Sequence, residues 1–461
     1  MNIHHDMTKG PVGRELVFFS LPLMLAQVLQ LLYGVADMLV VSRFVGESGV
    51  AAVSNGNMAA FFVASLGMGF GSGGAVEAGR HAADKSAQAC REATDTLLFL
   101  SLLTASVVGA GSFLLCGPAL AWLDVPGAIK EETLAYTRTV LLGTVFVFGM
   151  HTACAVLRAL GSGLAPLLIT AFSAILNMVL DLVLVGLCSL GTEGAAWATV
   201  TAQGAAFFAA LMLLRAERGG GLFCFVKLRR CAVVLRTSLP ASAQMAAVNL
   251  SFLIMTAMLN RYGVAVAAAS GIGLKINTLA GMPCWGIGQA VTAMVAQNAG
   301  AGNAGRVKEV LWEGFRLSMA VTVCLVVPVQ VFAVPVMELF APAESEVVKV
   351  GVEYLRLCCS VNSVLYVAMY SFDSFALGVG RADVALGNAL LEAFAARLFF
   401  AWLGADILGM GYMGIYAGQA VSPLIPAVCG WVFYRRETWR NAVERAAVKE
   451  RIAAMRKSGK A

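Results

Sequence analysis

The chain contains about twelve apolar runs separated by short polar breaks, and each run is long enough to cross a bilayer as a helix of about 20 residues. The runs predict helices near 15–41, 50–79, 93–116, 132–157, 164–188, 192–215, 237–261, 264–297, 310–335, 349–378, 383–408 and 411–435. Hydrophobic residues make up 59% of the chain and charged residues 13%, which is too apolar for a soluble domain of this length. We therefore predict an all-α membrane protein.

The two halves of the sequence resemble each other at an offset of about 217 to 220 residues. The recurring segments are Leu21-Pro22 with Leu239-Pro240, Gly67-Met68-Gly69 with Gly286-Ile287-Gly288, and Tyr136-Thr137-Arg138 with Tyr354-Leu355-Arg356. This repeat predicts two pseudo-symmetric six-helix lobes. The predicted boundaries are a leader at 1–14, lobes at 15–215 and 237–435, a basic linker at 216–236 and a basic tail at 436–461.

Lysine and arginine are concentrated in the leader, the second break, the linker and the tail. The breaks on the opposite side of the membrane carry only Arg43, Lys130, Arg261 and Lys349. Because positive loops stay in the cytoplasm, we expect both termini to be cytoplasmic. The leader has no apolar core, so it is not a signal peptide, and we expect a multi-pass protein of the plasma membrane, such as a bacterial inner membrane. The net charge of +6 follows from the loop bias and needs no nucleic-acid partner; the expected partner is membrane lipid.

The sequence shows no sign of an enzyme or of a bound cofactor. It has no GxxxxGK[ST] motif and no Ser/His/Asp or Cys/His arrangement, and its eleven cysteines include no CxxC pair. A GxGxxG match at residues 69–74 lies inside an apolar run with no strand before it. We interpret this match as a motif for close helix packing. Gly67 and Gly71 are four residues apart, as are Gly69 and Gly73, and this spacing lets a neighbouring helix backbone approach closely.

Four polar residues at membrane depth are the strongest candidates for function: Asp37, Asn177, Asp181 and Thr199. An ionised side chain there costs at least about 2.5–3.5 kcal/mol, so it is expected to face a cavity or a bound cation. Asn177 and Asp181 share one helix face because they are four residues apart. The all-oxygen set suits Na+, while the two neighbouring acids also suit a proton. The alternative is a hydrogen-bond network that only ties three helices together.

The order and spacing of several motifs resemble one known family over residues 21–436. These motifs are Leu21-Pro22 with Gln27 and Gln30, Tyr33-x-x-x-Asp37, Arg43-Phe44-Val45-Gly46, Arg158-Ala159-Leu160-Gly161 followed by Pro166, Asn177-x-x-x-Asp181, Gly194-Ala195-Ala196-x-Ala198-Thr199, Gln244, Gln289-Ala290-Val291 and Gln297-Asn298-x-Gly300-Ala301-Gly302. The chain resembles the multidrug and toxic compound extrusion (MATE) transporters of the polysaccharide-exporter and flippase superfamily.

The resemblance implies twelve helices in two lobes that open alternately, with efflux of lipophilic, cationic drugs driven by inward Na+ or H+. It implies that Asp37, Asn177, Asp181 and Thr199 form the cation site, and that Pro22 bends the first helix. A monomer is expected.

The second half departs from one branch of that family, which carries a glutamate in helix seven. No acid occurs here between Glu217 and Glu309. Asp373 resembles that branch's other acid, and its role stays open between ion coupling, attraction of cationic substrates and pairing with Arg397. Glu392 and Arg397 are five residues apart, so we expect each to pair with a neighbouring helix. Glu77 is expected to snorkel or to pair with Arg80, rather than to act as a gate.

Aromatic, thioether and acidic side chains are candidates for a drug cavity. The residues chosen are Tyr33, Phe61, Met255, Met282, Trp285, Tyr370 and Asp373. Two other functions remain open. A lipid-linked oligosaccharide flippase would need positively charged side chains in its cleft, and only Lys275 and Arg397 are candidates for that role. A channel or receptor would not need the duplicated lobes that are typical of repeat-built transporters.

Overall fold

The computed structural model describes residues 6–83, 87–122, 127–218, 221–441 and 443–444. In the first half, the helices are α1 (Val12–Phe44), α2 (Glu47–Ala83), α3 (Ala87–Trp122), α4 (Lys130–Leu142), α5 (Thr144–Ala159), α6 (Leu164–Asp181) and α7 (Gly191–Arg218). In the second half, they are α8 (Leu228–Asn260), α9 (Val264–Gly300), α10 (Ala304–Val331), α11 (Ala333–Glu338), α12 (Glu346–Leu357), α13 (Ser363–Gly378), α14 (Ala382–Leu390), α15 (Phe399–Trp402), α16 (Tyr412–Val421) and α17 (Leu424–Arg435).

Eleven segments of the described chain are long and apolar enough to cross a membrane. A twelfth span is obtained if α4 and α5, which are bent by 47° around Gly143, are counted as one. Several spans of the second half combine two or more helices; Glu346–Gly378, for example, contains α12 and α13. The prediction of an all-α membrane protein with about twelve transmembrane helices is confirmed.

The chain separates into two compact units. The first unit contains Leu25–Ser242, and the second contains Met7–Met24 together with the residues from Ala243 onward. Helix α1 therefore contributes its first part, including Pro22, to the second unit and its remainder to the first. Helix α8 begins at Leu228, inside the segment predicted as a linker.

The glycines of α2 allow close packing within the first unit. A Cβ on Gly71 would lie 2.8 Å from the Cα of Thr152 in α5, and a Cβ on Gly69 would lie 2.7 Å from the Cα of Ser242 in α8. Ordinary side chains at these positions would hold the helices apart. The interpretation of the GxGxxG match as a packing motif is therefore confirmed.

Short π-helical segments interrupt the spans, one in the described part of the first half and three in that of the second. They are Leu182–Leu187, Cys358–Asn362, Leu391–Leu398 and Leu403–Ile407. A π-helical segment hydrogen bonds from residue i to i+5, so side chains five apart come onto one face, and such segments occur frequently at functional sites.

Candidate cation site and the polar cluster of the second unit

The first unit brings its four predicted polar residues into one neighbourhood. Asp37 is on α1, Asn177 and Asp181 are on the last turns of α6, and Thr199 is on α7. All four side chains are buried. The four-residue spacing of Asn177 and Asp181 keeps both on one face up to the end of α6, where Leu182–Leu187 becomes π-helical.

The carboxyl groups of Asp37 and Asp181 hydrogen bond to each other. Two ionised carboxylates cannot hydrogen bond to each other, because both are acceptors, so this contact requires a proton on one of the two acids. The Oδ1 atom of each residue is buried and has no hydrogen-bond partner. The pair thus keeps two free oxygens that a cation can approach.

The amide of Asn177 is consistent with this protonated pair. With Nδ2 turned toward Asp181, it donates to Oδ2 at 2.6 Å, and its own oxygen accepts from the Thr199 backbone N–H at 3.2 Å. The opposite orientation places Nδ2 3.3 Å from Thr199 Oγ1 but leaves the amide oxygen facing a carboxylate. We adopt the first orientation because it gives both the amide nitrogen and the amide oxygen a suitable partner.

Two tyrosines complete the neighbourhood. Tyr33, predicted for the drug cavity, hydrogen bonds to Thr199 and lies close enough to Asp37 for their charges to interact. Tyr136 donates to Asn57 Oδ1 at 2.8 Å and also lies within the electrostatic reach of both acids. In the sequence, Tyr136 stands out only as part of the repeat, although a tyrosine inside an apolar run is itself a signal of a polar site.

The repeat-related positions of the second unit carry neutral side chains. Met255, Tyr354 and Gln419 line a small cavity, at offsets of about 218 to 220 from Asp37, Tyr136 and Thr199. The Tyr354 hydroxyl accepts from Gln419 Nε2 at 3.0 Å. Met255 also packs in the apolar core of this unit. No carboxylate lines this cavity among the described residues.

The buried charged residues in the described part of the second unit lie elsewhere. Arg397 forms a buried ion pair with Glu392 and donates to Ser251 Oγ at 2.6 Å. Asp373 accepts from Asn388 Nδ2 at 2.7 Å. The expectation that Glu392 and Arg397 would pair with separate helices is wrong, because both lie in the π-helical segment Leu391–Leu398, which brings residues five apart together.

Part of the predicted drug cavity forms an aromatic group in the second unit. Trp285 Nε1 donates to the Tyr366 hydroxyl at 2.9 Å, and the rings of Tyr366 and Tyr370 stack with centroids 5.5 Å apart. These three side chains are half-buried. Met282 is also half-buried, and Phe61 is 55% exposed in the first unit.

Glu77 belongs to a network at the end of α2. Its Oε1 lies 3.1 Å from His81 Nε2 and 3.7 Å from Arg230 Nη1. Arg230 also contacts Glu92 Oε2 at 3.0 Å. The network joins the end of α2 to the start of α3 and α8, and the charge of the expected partner Arg80 also acts on Glu77.

Comparison with known proteins gives a consistent result over the whole chain. The family model MatE matches residues 22–183 and 240–403, one segment in each half. Probable multidrug resistance protein YpnP of Bacillus subtilis is 26% identical over 445 residues, covering 95% of this chain and 98% of the relative. Probable multidrug resistance protein NorM of Thermotoga maritima is 25% identical over 468 residues, covering 95% and 96%.

A solved structure shares the fold. The outward-facing conformation of a multidrug resistance MATE family transporter of the MOP superfamily aligns with a TM-score of 0.86 at 20% identity, covering 96% of this chain and 98% of the other. The family match confirms the resemblance found in the motifs. This chain belongs to the MATE family and is a multi-pass membrane transporter, not an enzyme.

Proposed function

We propose that this protein is a secondary active multidrug exporter that moves lipophilic cations outward in exchange for inward H+ or Na+ by alternating access. The observation that carries this proposal is the buried acid pair of Asp37 and Asp181. A proton shared between two membrane-embedded carboxyls can be taken up from one side of the membrane and released to the other.

Sodium and the proton compete for the same atoms in this proposal. The free Oδ1 atoms of Asp37 and Asp181 are two oxygen ligands, and the Thr199 hydroxyl is a third. Asn177 contributes an oxygen only after its amide turns away from Thr199, because Nδ2 otherwise faces the acids. The arrangement therefore favours the protonated state, and Na+ binding requires loss of the shared proton and rotation of Asn177.

The substrate is proposed to be a flat, lipophilic cation. The stacked Tyr366 and Tyr370 with Trp285 present aromatic faces, which attract cations. The buried residues Asp373, Glu392 and Arg397 together carry a net charge of −1 when all three are ionised, which favours a cationic substrate. The flippase alternative has less support, because Arg397 is paired with Glu392 and Lys275 is exposed.

The loop charges support a plasma-membrane location with both termini cytoplasmic. Tags fused to either end should be inaccessible to reagents outside intact cells. Labelling of one end from outside would contradict this orientation.

Transport in proteoliposomes tests the proposal. Purified protein should drive tetraphenylphosphonium uphill when a proton or sodium gradient is imposed, and Asp181→Asn should abolish this. Asp383→Asn is the matched control, because Asp383 is exposed and pairs with Arg381 instead. Flux that no second ion gradient drives uphill would indicate a channel and overturn the proposal.

A further inference from the structure

The ion pair of Glu392 and Arg397 is held by only a few contacts. Arg397 Nη2 contacts Glu392 Oε1, Nη1 donates to Ser251 Oγ at 2.6 Å, and the guanidinium carbon lies 4.1 Å from the centroid of the Phe252 ring. Both charged side chains are at most 2% exposed. A charged pair at this depth is expensive, so its retention indicates a function.

The pair depends on the local winding of the helix. In an α-helix, residues five apart point in different directions, whereas the π-helical segment Leu391–Leu398 aligns them. At the repeat offset of about 220 residues, the corresponding stretch near 171–178 of the first half lies within the regular helix α6. The second half thus contains a local distortion that brings an acid against an arginine.

The pair is also incompletely satisfied. Glu392 Oε2 and Arg397 Nε are buried and have no hydrogen-bond partner. A buried ion pair that serves stability alone is favourable only when its remaining donors and acceptors are hydrogen bonded. The unused carboxylate oxygen and N–H are therefore more consistent with a pair that exchanges partners.

Groups suited to an organic cation lie within the electrostatic reach of Glu392. The charge of Glu392 reaches both Asp373 and Tyr366, so these side chains are its electrostatic neighbours. Tyr366 connects directly to Trp285 and stacks on Tyr370. Carboxylates behind aromatic faces are the typical surroundings of a bound organic cation. In this structure, the cation that occupies the Glu392 carboxylate is Arg397.

We infer that Arg397 is a tethered cation that occupies a substrate subsite, and that an incoming lipophilic cation displaces it from Glu392. This inference rests on the proposed export of lipophilic cations and specifies where such a substrate binds. The displaced guanidinium is not left without partners, because Ser251 Oγ and the Phe252 ring still hold it on α8. The exchange conserves charge, since one cation replaces another beside the same carboxylate.

Two substitutions should shift cation affinity in opposite directions. Arg397→Met removes the internal competitor and should tighten tetraphenylphosphonium binding by about tenfold, which corresponds to about 1.4 kcal/mol. Glu392→Gln removes the carboxylate and should weaken binding by about the same factor. A purely structural pair would instead give the same direction of change in both variants.

The test is equilibrium binding to the purified full chain with two probes of the same shape and opposite charge, tetraphenylphosphonium and tetraphenylborate. Arg397→Met should favour the cation over the anion, and Glu392→Gln should favour the anion over the cation. Arg381→Met is the matched control, because it breaks an arginine–carboxylate pair at an exposed position and should leave both affinities unchanged.

Folding is checked with Arg397→Gln, which keeps a donor for Ser251 and Glu392 and should tighten cation binding in the same way. If the wild type binds the cation and neither Arg397 variant binds it more tightly, this inference is overturned and the exporter proposal stands. If both probes shift together in every variant, the pair is structural and the inference is again overturned. If neither wild type nor the Arg397 variants bind the cation, both proposals fall.

Discussion

The two units carry the same repeated scaffold but place their charges differently. In the first unit, Asp37 and Asp181 lie against each other near Tyr136. In the second, the positions related to Asp37 and Tyr136 are Met255 and Tyr354, in a small cavity that no acid lines among the described residues. The buried charged side chains in the described part of the second unit are instead those of Asp373 and of the π-helical pair Glu392 and Arg397. The repeat therefore preserves helix positions, whereas chemistry has diverged between the halves.

This divergence has a physical basis. A carboxylate at membrane depth is retained only where a cation, a proton or an arginine balances it. The first unit is proposed to use a mobile ion for this balance, and the second uses its own arginine. The comparison therefore predicts that substitutions in the first unit alter ion coupling, while substitutions in the second alter stability and substrate recognition.

The largest effect is expected at the acid pair. Asp37→Asn or Asp181→Asn should abolish ion-driven efflux while leaving expression and membrane insertion intact, because an amide removes the proton site without changing the side-chain volume. Drug resistance of cells at equal expression measures this, with Asp383→Asn as the control. Wild-type resistance in either variant would remove the first unit from the coupling mechanism.

A large stability effect is expected at the π-helical pair. Glu392→Ala leaves Arg397 buried without its acid and should destabilise the protein by about 3–5 kcal/mol. The double variant Glu392→Gln with Arg397→Met leaves no unpaired charge and should lose much less. Thermal unfolding in detergent compares the two. Equal losses would show that packing, not charge, determines the effect.

The repeat-related tyrosines should respond differently. Tyr354→Phe leaves the buried Gln419 amide without its acceptor and should cost about 1–3 kcal/mol of stability. Tyr136→Phe removes a hydrogen-bond donor to Asn57, which is only half-buried. The stability of this variant should therefore change little, while its transport rate should fall. Unfolding and transport assays on both variants measure the contrast. The reverse pattern would mean that Tyr136 is structural.

The smallest contrast between the two units is expected at the repeat-related glycines Gly67 and Gly286. A Cβ on Gly286 would lie 2.8 Å from the backbone nitrogen of Met24, whereas a Cβ on Gly67 would meet the Phe148 ring. A backbone yields less easily than a side chain, so Gly286→Ala should cost about 1–3 kcal/mol and Gly67→Ala less. Thermal unfolding of both variants would reveal the order, and Gly111→Ala, which has open space, is the control.

Much of this architecture was predictable because a bilayer imposes simple rules on sequence. Continuous apolar runs had to be helices, and the four-residue spacing of Asn177 and Asp181 put both on one face. The proximity of Asp37 to Asp181 followed from the resemblance to a family, since hydropathy alone does not say which helices pack together. The positions of the four residues agree with that expectation, while their coupling role remains a prediction.

Other features depend on local backbone geometry, which the periodic pattern of apolar residues in the sequence does not reveal. The pairing of Glu392 with Arg397 needs a π-helical segment, and a sequence read with a regular helical period separates the two residues. The contact of Tyr136 with Asn57 joins residues 79 apart in the sequence. Met255 was assigned to a drug cavity from its chemistry, but it packs in the apolar core and lines a small, mainly apolar cavity together with Tyr354 and Gln419.

The most direct test of the account is a sodium titration of purified wild type, Asp181→Asn and Asp373→Asn at one acidic and one alkaline pH. If protons and Na+ compete at the first-unit pair, wild type and Asp373→Asn should bind Na+ more weakly at the acidic pH, and Asp181→Asn should not bind it at either. A sodium signal that survives Asp181→Asn, or that disappears in Asp373→Asn, would contradict the account.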